Sequence, residues 1–272
     1  MKIRYLAIAI AASTIALGAA STISIAGAQN PALMATVAET APLPQDAIPA
    51  YIKAAVNAPD RPAEDKELDA GRKPEQILAF FGIKPGMKVA DIWAAGGWDT
   101  ELLSRVVGPG GKVYSQNLPK FPAKYQKIAD QWHARVPRLK NVVEIAKPFD
   151  APDLLPVPAG SLDAVIINEN YHDMVGLKMD RAKVNRQIFT ALKPGGVYGI
   201  VDHSAQNGSG DRDCATLHRI DENFVINEIE KSGFELAESS SALRHPEDDR
   251  TWFVFKKRGQ TDRFMLKFVK PR

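Results

Sequence analysis

Apolar and polar residues alternate with a changing period along residues 88–117, which predicts a strand, a helix and a second strand in succession. A short apolar run ends at Ile92, and Gly96-Gly97 then permits a tight backbone turn. Apolar side chains next recur on one helical face, and Gly108 ends that helix before an alternating strand begins. The face consists of Leu102, Leu103, Val106 and Val107. This unit is half of a nucleotide-binding α/β domain.

The remaining chain continues the alternation of strands and helices. After residue 117, the pattern predicts five more strands separated by helical segments. The strands fall at 142–146, 164–168, 197–203, 234–238 and 264–269, and the helices near 125–135, 179–192 and 220–229. We therefore predict an α/β fold, a Rossmann-like doubly wound sheet of seven mostly parallel strands. An N-terminal helical extension, including a helix that opens at Lys73-Pro74, precedes the first strand.

The N-terminus has the plan of a secretory signal peptide. Lys2 and Arg4 precede an uncharged stretch that ends in Ala26-Gly27-Ala28, which predicts a signal peptide over residues 1–28 with cleavage before Gln29. The mature protein is then expected to be periplasmic or secreted. The alternative is an uncleaved membrane anchor, because the stretch is long enough to cross a bilayer. Residues 29–45 are rich in Ala, Pro and Thr, which predicts a flexible leader. Residues 46–272 are expected to form the folded domain.

Composition narrows the function classes. The 272 residues allow one large core, and removal of residues 1–28 reduces the net charge from +3 to +1. The remaining chain has no excess of basic residues of the kind that binds nucleic acid. We also expect no membrane contact after cleavage. The sole cysteine, Cys214, has no partner for an internal disulfide and is expected to be a structural thiol.

Charged residues recur at helical spacing before the first strand. Arg61, Asp65, Asp69 and Arg72 follow one another at intervals of four, four and three. They can share one helix face as a ladder of ion pairs. A solvated surface is one interpretation. A lid over the cofactor is the other.

The acid before the glycine turn separates two cofactor classes. In dinucleotide folds a pyrophosphate occupies this turn, and a carboxylate at Asp91 would repel it. The WAAGGW turn also lacks the GxGxxG spacing of those folds. A carboxylate suits the ammonium of an amino-acid tail instead. With its glycines, the turn resembles the first motif of the class I S-adenosylmethionine-dependent methyltransferases.

Further motifs strengthen the resemblance. The LKPGG-strand-DH signature, a DxPxxLP-like loop and the glycine turn lie in the order of that class, over about residues 47–272. More narrowly, the chain resembles a bacterial group of predicted exported methyltransferases. Four features carry this match, namely Asp91-x-Trp93, NYHD at 170–173, DH at 202–203 and TDRFMLKF at 261–268. The sequence departs from the general class at Trp93 and Ala95, which replace glycines, and at Asn117, which replaces a ribose-binding acid.

The resemblance implies a set of site residues and S-adenosylmethionine as the cofactor. Methyl transfer depends mainly on holding donor and acceptor in line, and a base helps when the acceptor must lose a proton. His172 and His203 are the candidate bases, and an aromatic face at Tyr171 or Trp93 would attract the sulfonium. For Trp93 a place in the core is the alternative. The expected cofactor-binding residues are Asp91, Trp93, Ala95, Gly96, Gly97, Asn117, Asp150 and Asn168, and the expected catalytic residues are His172, His203 and Tyr171.

A metal site is not expected. His172, Asp173, Asp202 and His203 lie at strand ends, but sequence-adjacent His-Asp pairs do not readily point at one centre. The chain also has no HExxH or CxxC spacing. We therefore expect a methyltransferase that acts on a small-molecule acceptor. The alternative is a binding protein that keeps the fold without catalysis. An NAD-linked oxidoreductase is the third function considered, because the Asp91 carboxylate would repel the pyrophosphate of the dinucleotide.

Overall fold

The computed structural model describes residues 37–272, and the predicted signal peptide lies outside them. The described part forms one eight-stranded sheet in the order β1-β7-β8-β6-β5-β2-β3-β4. The strands are β1 Glu39–Thr40, β2 Lys88–Ile92, β3 Lys112–Asn117, β4 Val142–Ala146, β5 Leu162–Asn168, β6 Leu192–His203, β7 Glu235–Ser240 and β8 Arg263–Val269. All neighbours pair in parallel except β8, which runs antiparallel to β6 and β7.

Helices cover both faces of the sheet. They are α1 Ala50–Val56, α2 Ala63–Arg72, α3 Pro74–Phe80, α4 Trp98–Val107, α5 Gln126–Arg135, α6 Tyr171–Gly176, α7 Arg181–Ala191, α8 Cys214–Leu217 and α9 Glu222–Glu230. The predicted doubly wound α/β fold is confirmed, and its seven strands are all present. The helical extension before β2 consists of α1, α2 and α3. Among residues 37–272, no helix is long and apolar enough to cross a membrane.

Alternating side chains on the central strands divide the core into two layers. On β5, Val165 and Ile167 face the layer that α7 and α9 complete, whereas Ile166 faces the layer of α1, α3 and α4. Successive strand residues point to opposite faces, so an almost unbroken apolar strand is buried on both sides. This burial keeps the sheet rigid, and its carboxyl-end loops carry the polar residues of interest.

An additional strand lies at the edge of the sheet. Glu39–Thr40 runs parallel to β7, and Thr40 Oγ1 donates a 2.8 Å hydrogen bond to the carbonyl of Ser239. Glu39 also accepts a 2.7 Å hydrogen bond from Arg244 Nε. The prediction of a flexible leader over residues 29–45 is therefore wrong from Glu39 onward, because this segment pairs with an open sheet edge. Residues 29–36 lie outside the described part.

The NYHD segment follows the carboxyl end of β5 and leads into a helix. Residues 171–176 form the short helix α6, directly after β5. The backbone amide of His172 donates to Asp202 Oδ2 at 2.8 Å, which attaches the start of this helix to the end of β6. Side chains of α6 therefore have fixed directions relative to the strand ends.

Candidate functional site

The turn between β2 and α4 has alternating left-handed residues. Trp93, Ala95 and Gly97 have φ values of 64°, 49° and 82°. A non-glycine residue in this region carries a cost of about 1–3 kcal/mol, and such residues concentrate at functional sites. A Cβ at Gly97 would lie 3.0 Å from Arg135 Cδ, and one at Gly96 would lie 2.9 Å from Gln131 Oε1. The turn thus keeps the conformation expected for three glycines, and α5 packs directly against it.

The Asn117 side chain holds this turn in place. Its Oδ1 accepts from the Ala95 amide at 2.9 Å, and its Nδ2 donates to the Ala95 carbonyl at 3.0 Å. Gln116 Oε1 similarly accepts from the Trp93 amide at 3.1 Å. Asn117 is only 2% exposed. The expectation that Asn117 binds the ribose is therefore corrected, because its two polar atoms stabilise the strained main chain instead.

Carboxylates and an amide oxygen converge beside the turn. Asp91 is 2% exposed and lies 2.5 Å from Thr100 Oγ1. Burial and the neighbouring Asp99 raise the pKa of Asp91 to about 8. Burial also raises the pKa of Asp99 to about 6, although Arg72 opposes this shift. These carboxyl groups therefore lie where ionisation is unfavourable without an additional cation.

Asn168 completes this group of acceptors. Its Nδ2 donates to the two carboxylate oxygens of Asp99 at 3.0 and 3.1 Å. Its Oδ1 is buried and has no hydrogen-bond partner among residues 37–272. An ammonium group, with three N–H donors and a positive charge, matches such a set of acceptors. These residues fit the amino-acid tail of S-adenosylmethionine.

An aromatic pair lies on the other side of the turn. The rings of Trp93 and Phe149 stack with a centroid distance of 3.9 Å and an interplanar angle of 11°. Trp93 is half-buried and packs against the core, in line with the core alternative. Asp150 follows Phe149 and is exposed, and its carbonyl accepts from Lys183 Nζ at 2.8 Å. The stack therefore forms an apolar wall at the end of β4.

Tyr171 lies in the core and faces away from the strand-end polar groups. Its side chain is 0% exposed, and its hydroxyl donates to Glu228 Oε2 at 2.7 Å. Asn185 Nδ2 donates to the same hydroxyl at 2.9 Å. Burial, together with Tyr198 and Glu228, raises the pKa of Tyr171 well above its ordinary value. The expected catalytic role of Tyr171 is therefore corrected to a structural one that joins α6, α7 and α9.

His172 is enclosed by acidic groups and a second histidine. Its Nδ1 lies 2.7 Å from Asp202 Oδ1, and its Nε2 lies 3.1 Å from His218 Nδ1 and 3.4 Å from Asp173 Oδ1. Burial lowers the pKa of His172, but Asp202 and Asp173 outweigh it and raise the pKa to about 10. A histidine that holds its proton at neutral pH is a poor base. The role of His172 as the general base stays a prediction, which its two acidic neighbours disfavour.

His203 has the opposite character. Burial lowers its pKa to about 4, so the imidazole is neutral at physiological pH. Its Nδ1 lies 2.9 Å from Thr261 Oγ1. The tautomer that donates from Nδ1 to Thr261 leaves the Nε2 lone pair free to accept a proton. Of the two predicted bases, His203 is the one in the required protonation state.

His203 lines a cavity of about 430 Å³ at the carboxyl ends of the strands. Such a volume suits a small molecule. The wall includes Glu169, which accepts a 2.5 Å hydrogen bond from Arg263 and lies 3.4 Å from Arg72. Burial opposes ionisation of Glu169, but Arg72 and Arg263 hold its pKa below the ordinary range. Residues of α2 and of the segment 254–259 form the rest of the wall.

A larger cavity lies on the other side of α2, with a volume of about 560 Å³. Its lining includes Lys66, Lys73 and Glu75, but none of the candidate catalytic or cofactor-binding residues at the carboxyl ends of the parallel strands. Ligands of open α/β sheets bind outside those ends. The cavity that His203 lines is therefore the better candidate for a ligand site.

Buried ion pairs hold α2 over the glycine turn. Asp65 and Arg135 form a two-point pair at 2.6 and 3.0 Å, and both side chains are nearly inaccessible. The Asp65 carbonyl accepts from Trp98 Nε1 at 3.2 Å. Arg61, which precedes the helix, pairs with Asp69 at 2.6 Å and is also buried. For Arg61 and Asp65 the solvated-surface interpretation is therefore wrong, because both side chains are buried, and the arrangement favours the lid interpretation.

Several residues of the site escaped the sequence-based prediction. Arg263 lies within the TDRFMLKF motif and Glu169 directly precedes NYHD, but their pairing joins segments 94 residues apart. His218 lies in no recognised motif, and it meets His172 across 46 residues. The two histidines predicted near strand ends, His172 and His203, were the available signal, and they did not identify His218 as the partner.

Solved structures of other proteins share this fold. A S-adenosylmethionine-dependent methyltransferase from Aquifex aeolicus aligns with a TM-score of 0.53 at 19% identity, covering 79% of this chain and 97% of that one. One from Mesorhizobium loti has a TM-score of 0.53 at 14% identity and covers 75% and 100%. Aeropyrum pernix fibrillarin with natively bound S-adenosyl-L-methionine has a TM-score of 0.50 at 18% identity and covers 74% and 76%. No protein-family model matches the sequence. The chain therefore has the fold of the class I S-adenosylmethionine-dependent methyltransferases.

Proposed function

We propose that this protein is a S-adenosylmethionine-dependent methyltransferase that acts on a small-molecule acceptor. The observation that carries the proposal is the group of acceptors formed by Asp91, Asp99 and Asn168 Oδ1, in which both carboxyl pKa values are raised and the buried Asn168 Oδ1 has no hydrogen-bond partner among residues 37–272. A dinucleotide pyrophosphate would be repelled there, whereas an amino-acid ammonium would be bound. The solved structures with this fold include a protein with bound S-adenosylmethionine, which supports the same cofactor.

The residues have separable roles in this proposal. Asp91 and Asn168 bind the ammonium, and the bound cofactor supplies a methyl group on a sulfonium. The cavity beside Glu169 and Arg263 holds the acceptor and excludes bulk water beneath α2. His203 Nε2 accepts the proton that a hydroxyl or protonated amine must lose. Positioning accounts for most of the remaining rate enhancement.

Asp91→Asn should weaken S-adenosylmethionine binding by about 1.5–3 kcal/mol, the value of a charge-assisted hydrogen bond. Isothermal titration calorimetry of the folded variant measures this loss. Asp130→Asn, the same substitution at an exposed position on α5, is the matched control and should bind as the wild type does. Equal affinity in wild type and Asp91→Asn would remove Asp91 from the site.

The same substitution should stabilise the free protein. The pKa of Asp91 is 3.8 ordinarily and about 8 when folded, so between these values the folded state binds more protons than the unfolded chain. Stability is therefore lost as the pH rises through this range. Asp91→Asn should raise the free energy of unfolding by about 0.5–2 kcal/mol at alkaline pH and much less at acidic pH. Urea denaturation at both ends of the range checks the sign.

A binding protein without catalysis is the second candidate, and the left-handed Trp93 and Ala95 favour it. These residues place side chains where the resemblance leads us to expect glycine. Incubation with methyl-labelled S-adenosylmethionine and a panel of small acceptors separates the two functions. Labelled product supports the methyltransferase, whereas tight cofactor binding without turnover supports the binding protein.

We also propose export of the protein, on the pattern of Lys2, Arg4 and Ala26-Gly27-Ala28. N-terminal sequencing of protein from the native cell should give Gln29 as the first residue, in the periplasmic or secreted fraction. Full-length chain in the membrane fraction would instead support the uncleaved anchor. Full-length chain in the cytosol would contradict both.

A further inference from the structure

The cluster of His172, Asp173 and His218 has the dimensions of a metal-binding triangle. His172 Nε2 lies 3.1 Å from His218 Nδ1 and 3.4 Å from Asp173 Oδ1, and His218 Nδ1 lies 3.3 Å from the same oxygen. Tetrahedral Zn²⁺ with bonds of about 2.0–2.1 Å holds its ligand atoms about 3.3 Å apart. Without a metal, a proton on one of the histidines can link these atoms, and a metal ion would displace that proton and accept a lone pair from each of the three atoms. We propose that these three side chains bind a divalent transition metal, with Zn²⁺ the best fit.

The surroundings of His172 support this assignment. Asp202 is fully buried, and its Oδ1 lies 2.7 Å from His172 Nδ1. Metal-binding histidines commonly donate their second nitrogen to a carboxylate, which fixes the tautomer and the ring direction. Asp202 Oδ2 also accepts from the His172 amide. The carboxylate thus orients Nε2 toward the other two ligands.

The triangle leaves room for a further ligand. The Asp173 and His218 side chains are each 28% exposed, whereas His172 is enclosed. The His218 ring packs against Phe253 and Phe255, with centroids 5.3 and 5.4 Å away. Three protein ligands with an open position are typical of catalytic zinc sites, whereas structural sites have four. Phe255 also lines the cavity beside His203, so the cluster lies next to that cavity.

The earlier expectation of no metal assumed that sequence-adjacent His and Asp residues diverge. This holds for Asp202 and His203, whose side chains contact His172 and Thr261 respectively. It does not hold for His172 and Asp173, because both lie in the first turn of α6 and approach His218 from the same side. His218 is in the left-handed region, with φ of 56°, which places strain at this position.

Calorimetric titration of the full-length, untagged, metal-free protein with ZnCl₂ tests the proposal. We expect one equivalent of Zn²⁺ to bind, and Co²⁺ in its place to show the intense visible absorption of a four-coordinate ion. Asp202→Asn removes a residue that only orients a ligand, and it should weaken Zn²⁺ binding about 10–100-fold. His218→Ala removes a ligand itself, so it should weaken Zn²⁺ binding by at least about this factor. His133→Ala, at an exposed histidine on α5, should bind as the wild type does.

Asp173→Asn provides a second ligand variant that keeps the side-chain shape, and circular dichroism checks that each variant is folded. Absence of Zn²⁺ binding by the wild type would overturn the proposal. It would show that only hydrogen bonds and ion pairs join His172, Asp173 and His218. Unchanged affinity in folded Asp173→Asn and His218→Ala would overturn it as well. The titration contains no S-adenosylmethionine, so its result is independent of the proposed methyltransferase activity.

Discussion

His203→Gln should lower the turnover number by about 10²–10⁴-fold for an acceptor that must lose a proton, while S-adenosylmethionine binds with unchanged affinity. The imidazole is neutral because burial lowers its pKa to about 4, and the side chain lines the acceptor cavity. Glutamine preserves a polar side chain of similar length but accepts no proton at neutral pH. Single-turnover rates at saturating cofactor, combined with a calorimetric cofactor titration, separate chemistry from binding.

The control for this experiment is His133→Gln, because His133 is exposed on α5 and lies outside the cavity lining. It should leave the rate unchanged. Thr261→Val removes the hydrogen-bond partner of His203 Nδ1 and should give a smaller loss, since the tautomer is then less restricted. A wild-type rate in His203→Gln would show that positioning alone accounts for catalysis.

Arg135→Ala should lower the free energy of unfolding by about 3–5 kcal/mol, because it leaves a buried carboxylate without its cation. Arg135 donates to both oxygens of Asp65 and to the carbonyl of Gly97, so it joins α2, α5 and the glycine turn. Equilibrium denaturation in urea measures the loss. Faster amide hydrogen exchange in α2 should accompany this loss of stability, because the Arg135–Asp65 pair joins α2 to α5.

Arg138→Ala is the matched control for Arg135→Ala. Arg138 lies 3.8 Å from Glu101, but its side chain is 51% exposed, so its removal should cost less than about 1 kcal/mol. The double variant Asp65→Leu/Arg135→Met should recover much of the lost stability, because no unpaired charge remains. Equal stability of wild type and Arg135→Ala would show that the lid is held by apolar packing.

The cofactor turn was the most predictable part of the site. An apolar strand, an acid, two glycines and an amphipathic helix follow each other within about twenty residues, and each signal is local. The position of Asp91 beside the glycine turn could therefore be predicted from its neighbours alone. Asn117 could not, because the same amide suits a ribose hydroxyl or a strained main chain, and only its contacts with Ala95 distinguish the two.

The protonation states of His172 and His203 could not be predicted from local sequence signals. His172 and His203 were both recognised as strand-end residues, and the sequence offered no means to rank them. Asp202 and Asp173 raise the pKa of His172, whereas burial lowers the pKa of His203. The environments differ because residues distant in sequence surround each ring. His218, which approaches His172 after α8, is the clearest example.

The sequence by itself determined the succession of elements, the doubly wound sheet and the position of the glycine turn. Hydrophobic periodicity reports the local backbone and which side of each element is buried, and these properties need no knowledge of distant residues. Only the tertiary structure decided that Tyr171 faces the core, that Arg135 holds α2 against the glycine turn, and that His172 meets His218. Partner identity, burial and pKa depend on which distant segments pack together, and a pattern of short period contains no such information.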